Sequence, residues 1–191
     1  MRWRRALQWL PNGLSAARLA AAPVLIVLAI AAYEQVFAIL LVVALATDVL
    51  DGWLARVLRV QSNLGAALDS IADVTTLMAA TAGIWRFHPH VLVEHVFACC
   101  IVLVGWAVVC VLALLRYRRL SSFHTYASKA AGYALGFFLI ALFVSGFSAW
   151  LFYMAVLLSA CSSAEELALL WMLPQWRSDV RGIWWVLRGR G

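Results

Sequence analysis

Four aspartates, Asp48, Asp51, Asp69 and Asp73, stand close together in a chain that is otherwise almost continuous hydrocarbon, and they are nearly half of its nine acidic residues. An ionised carboxylate near the middle of a bilayer costs roughly 2.5 to 3.5 kcal/mol even on insertion-derived scales, so four together require strong compensation. On a helix, positions 48, 51, 52 and 55 share a face at i, i+3, i+4 and i+7, while 65, 69 and 73 share one at i, i+4 and i+8. Two acidic faces therefore oppose across a tight turn near Arg59 to Asn63, with Arg56 adjoining the first face. Gly52 and Gly65 remove side chains there and let backbone or a ligand approach closely. The donor set is all oxygen, with no His or Cys nearby, which selects hard cations such as Mg²⁺ or Mn²⁺ over zinc or copper. Four carboxylates suit two ions, and two ions on shared aspartates clamp the attacking and leaving oxygens of a phosphoryl displacement. Arg56 can neutralise a diphosphate that the carboxylates alone would repel. Asp73, at the end of the row, is best placed to take the proton of an attacking hydroxyl. The competing reading, buried ion pairs with Arg18, Arg56 and Arg59 that merely hold helices together, needs no glycines and would leave carboxylates unmatched at depth.

The elements that must position these groups are membrane spans. With 65% apolar residues, 13% charged residues and a mean hydropathy of +0.91, the chain has too little polar surface for a soluble globule. A span takes roughly 20 apolar residues, and the 191 residues divide into about six, near 14–33, 36–58, 63–86, 91–115, 122–145 and 148–173. Segments two, three and five are the least apolar and are expected to line something wet or charged. The expected fold is an all-α integral membrane bundle of six transmembrane helices, one domain over residues 1–191, with an interfacial amphipathic helix at 1–10 and a basic tail at 174–191.

Orientation follows from the cations, because short cytoplasmic loops carry the excess of Lys and Arg. Arg2, Arg4 and Arg5 precede the first span, Arg56 and Arg59 end the second, Arg116, Arg118 and Arg119 end the fourth, and Arg177, Arg181, Arg188 and Arg190 follow the sixth. All four clusters fall on one side, so both termini and the aspartates are expected at the cytoplasmic face, in a prokaryotic inner membrane on the evidence of the short loops. A net charge of +6 with Trp-rich ends points to anionic headgroups, and no basic stripe on a polar domain suggests nucleic acid. Asn12 and Arg18 interrupt the first apolar run and argue against a cleaved signal. The four cysteines lack metal or disulfide spacing, as do His88, His90, Glu94 and His95 for zinc. Glu165 and Glu166 lie in the sixth span, where one is expected to pair with a cation.

At the aspartates the sequence resembles the CDP-alcohol phosphotransferases (CDP-alcohol phosphatidyltransferases) of phospholipid synthesis. Their signature, D-x2-D-G-x2-A-R-x8-G-x3-D-x3-D, is met by Asp48, Asp51, Gly52, Ala55, Arg56, Gly65, Asp69 and Asp73. Upstream, PNGLSAARLAAAP, from Pro11 to Pro23, is similar to the P-N-x-[LI]-[ST]-x2-R-x4-P opening of the phosphatidylglycerophosphate and cardiolipin synthase branch. The resemblance implies a homodimeric six-helix enzyme whose cavity holds two Mg²⁺ or Mn²⁺ ions and CDP-diacylglycerol; an acceptor hydroxyl attacks the lipid-side phosphorus and CMP leaves. It makes Asp48, Asp51 and Asp69 metal ligands and Asp73 both ligand and general base. Gly52, Arg56 and Ser62 look like contacts to the CDP moiety, and Asn12 would touch the nucleotide or its phosphates. Asn12 just ahead of a helix start also suits an N-terminal cap.

The acceptor is less sharply marked. Lys129, the single lysine, lies amid Ala and Gly in the fifth span, and with Arg116 and Arg119 it suits the phosphate of glycerol 3-phosphate. The A-S-K-A-A run around Lys129 departs from the G-K-x-K-T element of bacterial phosphatidylglycerophosphate synthases, and LDSIADV, Leu68 to Val74, resembles phosphatidylserine synthases. Serine, inositol phosphate and other alcohols therefore stand as alternative acceptors. A divalent-cation transporter is the alternative of a different class; it leaves Gly52, Ala55, Arg56 and Gly65 unexplained.

Overall fold

The structure, a computed structural model, describes residues 2–58, 63–118, 125–173, 180 and 182–188, with the backbone alone for 2–11, 55, 56, 63, 64, 66 and 67. Every element among the described residues is a helix: α1 Arg2–Ile30, α2 Glu34–Val57, α3 Asn63–Phe87, α4 Pro89–Glu94, α5 Val96–Tyr117, α6 Tyr126–Ser145, α7 Ala149–Met172 and α8 Ile183–Leu187. Five stretches are long and apolar enough to cross a membrane, namely Asn12–Ile30, Glu34–Leu54, Val96–Tyr117, Tyr126–Ser145 and Ala149–Met172. The sixth expected span, α3, has the length at 25 residues, but Asp69, Asp73, Arg86 and its threonines dilute its apolar run.

The chain divides into two compact units, Met1–Leu92 and Val93–Gly191. In the first, α1 packs along both α2 and α3, which touch each other only sparsely. The seam repeats at helical spacing: Ala22, Leu25 and Ala29 from α1, Phe37, Leu41 and Ala44 from α2, and Ala72, Ala79 and Ala80 from α3 are all buried. Small side chains let the backbones approach where apolar burial gives no drive between helices in lipid. The fully buried Phe37 ring lies against Gly83, where a Cβ would collide with it, and meets Phe87 at 5.5 Å.

Residues 2–10 do not form a separate interfacial helix. They continue into α1, which runs unbroken through Pro11 and Asn12, so the expected cap at Asn12 has no helix start to serve. Proline removes one internal donor at a cost of about 3 kcal/mol, and the helix continues although Asn12 and Gly13, both weak helix formers, follow it directly. Nor is the expected span 91–115 one element. It splits at His95 into α4 and α5, with the imidazole stacked on Phe147 at 5.1 Å.

In the second unit α7 is the hub, packing on α5 and α6, with α8 against it. Val109, Ala113, Leu169, Leu170, Leu173 and Val180 form its buried core. Thr125, fully buried, caps α6 by accepting from the Ser128 backbone N–H at 3.1 Å.

Candidate active site

Three helices of the first unit deliver the site. α1 contributes Ser15 and Arg18, one turn apart; α2 contributes Asp48 and Asp51; α3 contributes Asp69 and Asp73. The Arg18 guanidinium lies at the centre. Its Nη2 donates to Asp69 Oδ1 at 2.7 Å and to Asp51 Oδ2 at 3.3 Å. Its Nη1 pairs with Asp48 and, at 3.4 Å, with Asp73 Oδ1. Its Nε is buried without a hydrogen-bond partner among the described residues. Ser15 Oγ donates to Asp51 Oδ2 at 2.9 Å, so the deepest carboxylate takes a second donor from the same helix.

Exposure is graded across the cluster. The side chain of Asp51 is 5% exposed, and those of Asp69, Asp48 and Asp73 are 30%, 42% and 51% exposed, so the site is closed at Asp51 and open at Asp73. Gly52 is exposed, and a Cβ there would meet nothing within 4 Å. Among the described residues no packing therefore demands a glycine at 52, which leaves room for a ligand beside Asp51.

Among the described side chains one guanidinium faces four carboxylates, so if all are ionised the cluster keeps a net negative charge that further cations would balance. The donor set fits a hard dication. Oxygens of Asp48, Asp51 and Asp69 lie within 4.8 Å of one another, and octahedral Mg²⁺ with bonds of about 2.1 Å spaces its ligand oxygens roughly 3 to 4.2 Å apart. A closure of under about an ångström would bring the three into coordinating range.

Among the other expected site residues, Asn12 is half-buried within α1. The Arg56 side chain, Ser62 and Arg119 lie outside the described residues, as do Arg59 and most of the turn that follows it. Arg116 is exposed; its Nη2 donates to the Leu173 carbonyl at 3.3 Å, beside the Tyr117 hydroxyl donating to the same oxygen at 2.6 Å. Its visible work is to satisfy the end of α7, where a cation is favoured. Lys129 is half-buried, with Nζ 5.9 Å from the centre of the Tyr126 ring. Glu165 accepts from the Ile183 backbone N–H at the start of α8, and Glu166 is approached by Ser162 Oγ at 3.4 Å.

Sequence reasoning missed Ser15; Arg18, which it offered as an ion-pair partner directed at the cavity, proves to sit at the centre of all four aspartates. The available signal was a hydroxyl and a cation one turn apart inside an apolar span, where an unpaired charge is not tolerated.

Two membrane-length helices, α1 and α2, together with α3 bring four carboxylates into one cluster, three of which lie close enough to hold a metal ion. Residues 8–161 match the CDP-alcohol phosphatidyltransferase family, and the chain belongs to it. It is thus a membrane transferase of phospholipid synthesis. No curated protein and no solved structure matches the chain.

Proposed function

We propose that the protein moves a phosphatidyl group from CDP-diacylglycerol to the hydroxyl of a small polar alcohol, glycerol 3-phosphate, releasing CMP. The observation that carries this reading is the convergence of Asp48, Asp51, Asp69 and Asp73 beside an unfilled space at Gly52. Asp48, Asp51 and Asp69 would hold two Mg²⁺ or Mn²⁺ ions, with Asp73 completing the set. Bound there, such ions supply charge neutralisation for the diphosphate and a clamp on the attacking and leaving oxygens.

The chain's own groups do the rest. Asp73, the most exposed carboxylate, accepts the proton of the attacking hydroxyl. The acceptor oxygen forms its bond to the lipid-side phosphorus as the bond from that phosphorus to the CMP oxygen breaks, and CMP departs with that electron pair. Gly52 lets the nucleotide approach, and Asn12, Arg56 and Ser62 contact the CDP moiety. Arg116, Arg119 and Lys129 receive the acceptor phosphate; Arg116 does so with donors not given to Leu173. The protein works as a homodimer in a prokaryotic inner membrane. Gly52, Ala55, Arg56 and Gly65 at their spacings from the aspartates, which a cation-conducting path does not require, favour an enzyme.

The test is CMP release by detergent-purified protein given CDP-diacylglycerol, Mg²⁺ or Mn²⁺, and glycerol 3-phosphate, serine, inositol phosphate or inositol in separate reactions, with lipid products identified by mass. Phosphatidylglycerophosphate from glycerol 3-phosphate is the expected product, and chelation of divalent ions should abolish it. Turnover with an unphosphorylated alcohol alone would remove the phosphate-binding role from Arg116, Arg119 and Lys129.

A further inference from the structure

Arg18 occupies the place that a divalent cation needs. Its Nη2 lies 2.7 and 3.3 Å from oxygens of Asp69 and Asp51, two of the three carboxylates that converge within 4.8 Å. Nη1 engages the third, Asp48, and also Asp73. A dication coordinated by those oxygens and a guanidinium bonded to the same oxygens repel each other at contact distance and compete for the same lone pairs. The anchorage of the Arg18 head is the carboxylates themselves. Arg18 is 3% exposed, and among the described residues its Nε has no hydrogen-bond partner and the carboxylates hold its head.

We propose that Arg18 is an exchangeable internal counter-ion. Without metal it draws the carboxylates of α2 and α3 onto α1, and divalent ions displace its head from them. The displaced guanidinium remains within side-chain reach of the site, where it meets the diphosphate of the donor. This role presupposes a divalent cation at the aspartates, as proposed above, and it assigns to Arg18 the holding of the site in register before the metal arrives. A fixed structural ion pair would do the opposite, because cutting it would loosen the ligands and weaken metal binding.

The discriminating measurement is Mn²⁺ binding to the full-length, detergent-solubilised protein, followed by the resonance signal of free Mn²⁺ with no nucleotide or lipid substrate added. Arg18→Gln should bind Mn²⁺ about tenfold or more tighter than wild type, since a positive charge about 4 Å from a dication is removed. It should also melt at a lower temperature in EDTA, with the loss recovered on adding Mn²⁺. Equal or weaker Mn²⁺ binding by Arg18→Gln overturns the counter-ion role while leaving the metal site intact. Absence of Mn²⁺ binding in wild type overturns the metal reading and the counter-ion role with it. A second readout needs no variant: phenylglyoxal modification of Arg18 in the wild type, located by peptide mass, should be slow in EDTA and accelerate when Mn²⁺ is added. An unchanged rate also overturns the exchange.

Discussion

Asp73 and Gly52 separate chemistry from folding at the level of single residues. The Asp73 carboxylate is the most exposed of the four and touches Arg18 at the longest distance, 3.4 Å, so replacing it by the isosteric amide removes little that holds the helices. Asp73→Asn is expected to lower CMP release by at least about 10²-fold, the range lost with a general base, with the melting temperature close to wild type. Near-normal turnover would move the base elsewhere. Gly52 gives an opposite pair of effects. Alanine there meets no neighbour and should raise stability by about 0.5 to 1 kcal/mol, the helix-interior cost of glycine, while raising KM for the CDP-lipid. A variant that is stabilised and fully active would show that no ligand uses the space. The aspartates were legible in the sequence because their spacings place them on helical faces whatever the helices pack against. The grip of Arg18 on Asp48, Asp51, Asp69 and Asp73, and of Ser15 on Asp51, was not, because a periodic pattern fixes a face but not the partner that a distant helix brings to it.

At the scale of elements, α1 organises the first unit, and its fit against α2 and α3 depends on small residues more than on large ones. The contact most sensitive to added volume is between Phe37 of α2 and Gly83 of α3. Gly83→Val should destabilise by about 1 to 3 kcal/mol, as overpacking of a filled interface does, measured by unfolding in mixed micelles; a neutral result would mean that Phe37 swings aside at no cost. The corner after α3 is pH-sensitive in a definite direction. Burial pushes the His88 imidazole below its usual range, against the opposing pull of Glu34 at 3.3 Å and with help from His90. A depressed folded value means that protonation favours the unfolded form, so the contribution of His88 is present above its ordinary value of about 6.5 and falls away as pH drops below that. His88→Asn should therefore flatten the dependence of melting temperature on pH between about 7 and 5. Helix existence and approximate bounds were legible from apolar length alone. The continuation of α1 through Pro11 was not, since proline reads as a break. The break at His95 went unread although Glu94 and His95 form a polar pair there, because the long apolar run from Val96 onward dominated the segment.

For the whole molecule, the question left by the elements is whether α3 crosses the bilayer, and the placement of the cations sets the expectation. If α3 crosses, the chain returns to the same side before Arg56, Arg116 to Arg119 and the C-terminal arginines, and every cluster lies with Arg2, Arg4 and Arg5. If α3 stays on one side, α5 carries Arg116, Arg118 and Arg119 to the opposite face, and α7 leaves Arg177, Arg181, Arg188 and Arg190 there too, against the bias that orients membrane proteins. The carboxylates that make α3 too polar to count as a span by composition are the same groups that Arg18, and by the proposal above divalent cations, remove from lipid. The expected outcome is that α3 spans, buried by protein on its polar side, and that the C-terminus is cytoplasmic. A fluorescent protein fused after Gly191 should then fluoresce and a phosphatase reporter at the same point should be inactive, with the reverse pair for fusions after Tyr33. An active phosphatase after Gly191 would place α3 on one side of the membrane and leave the second half of the chain inverted.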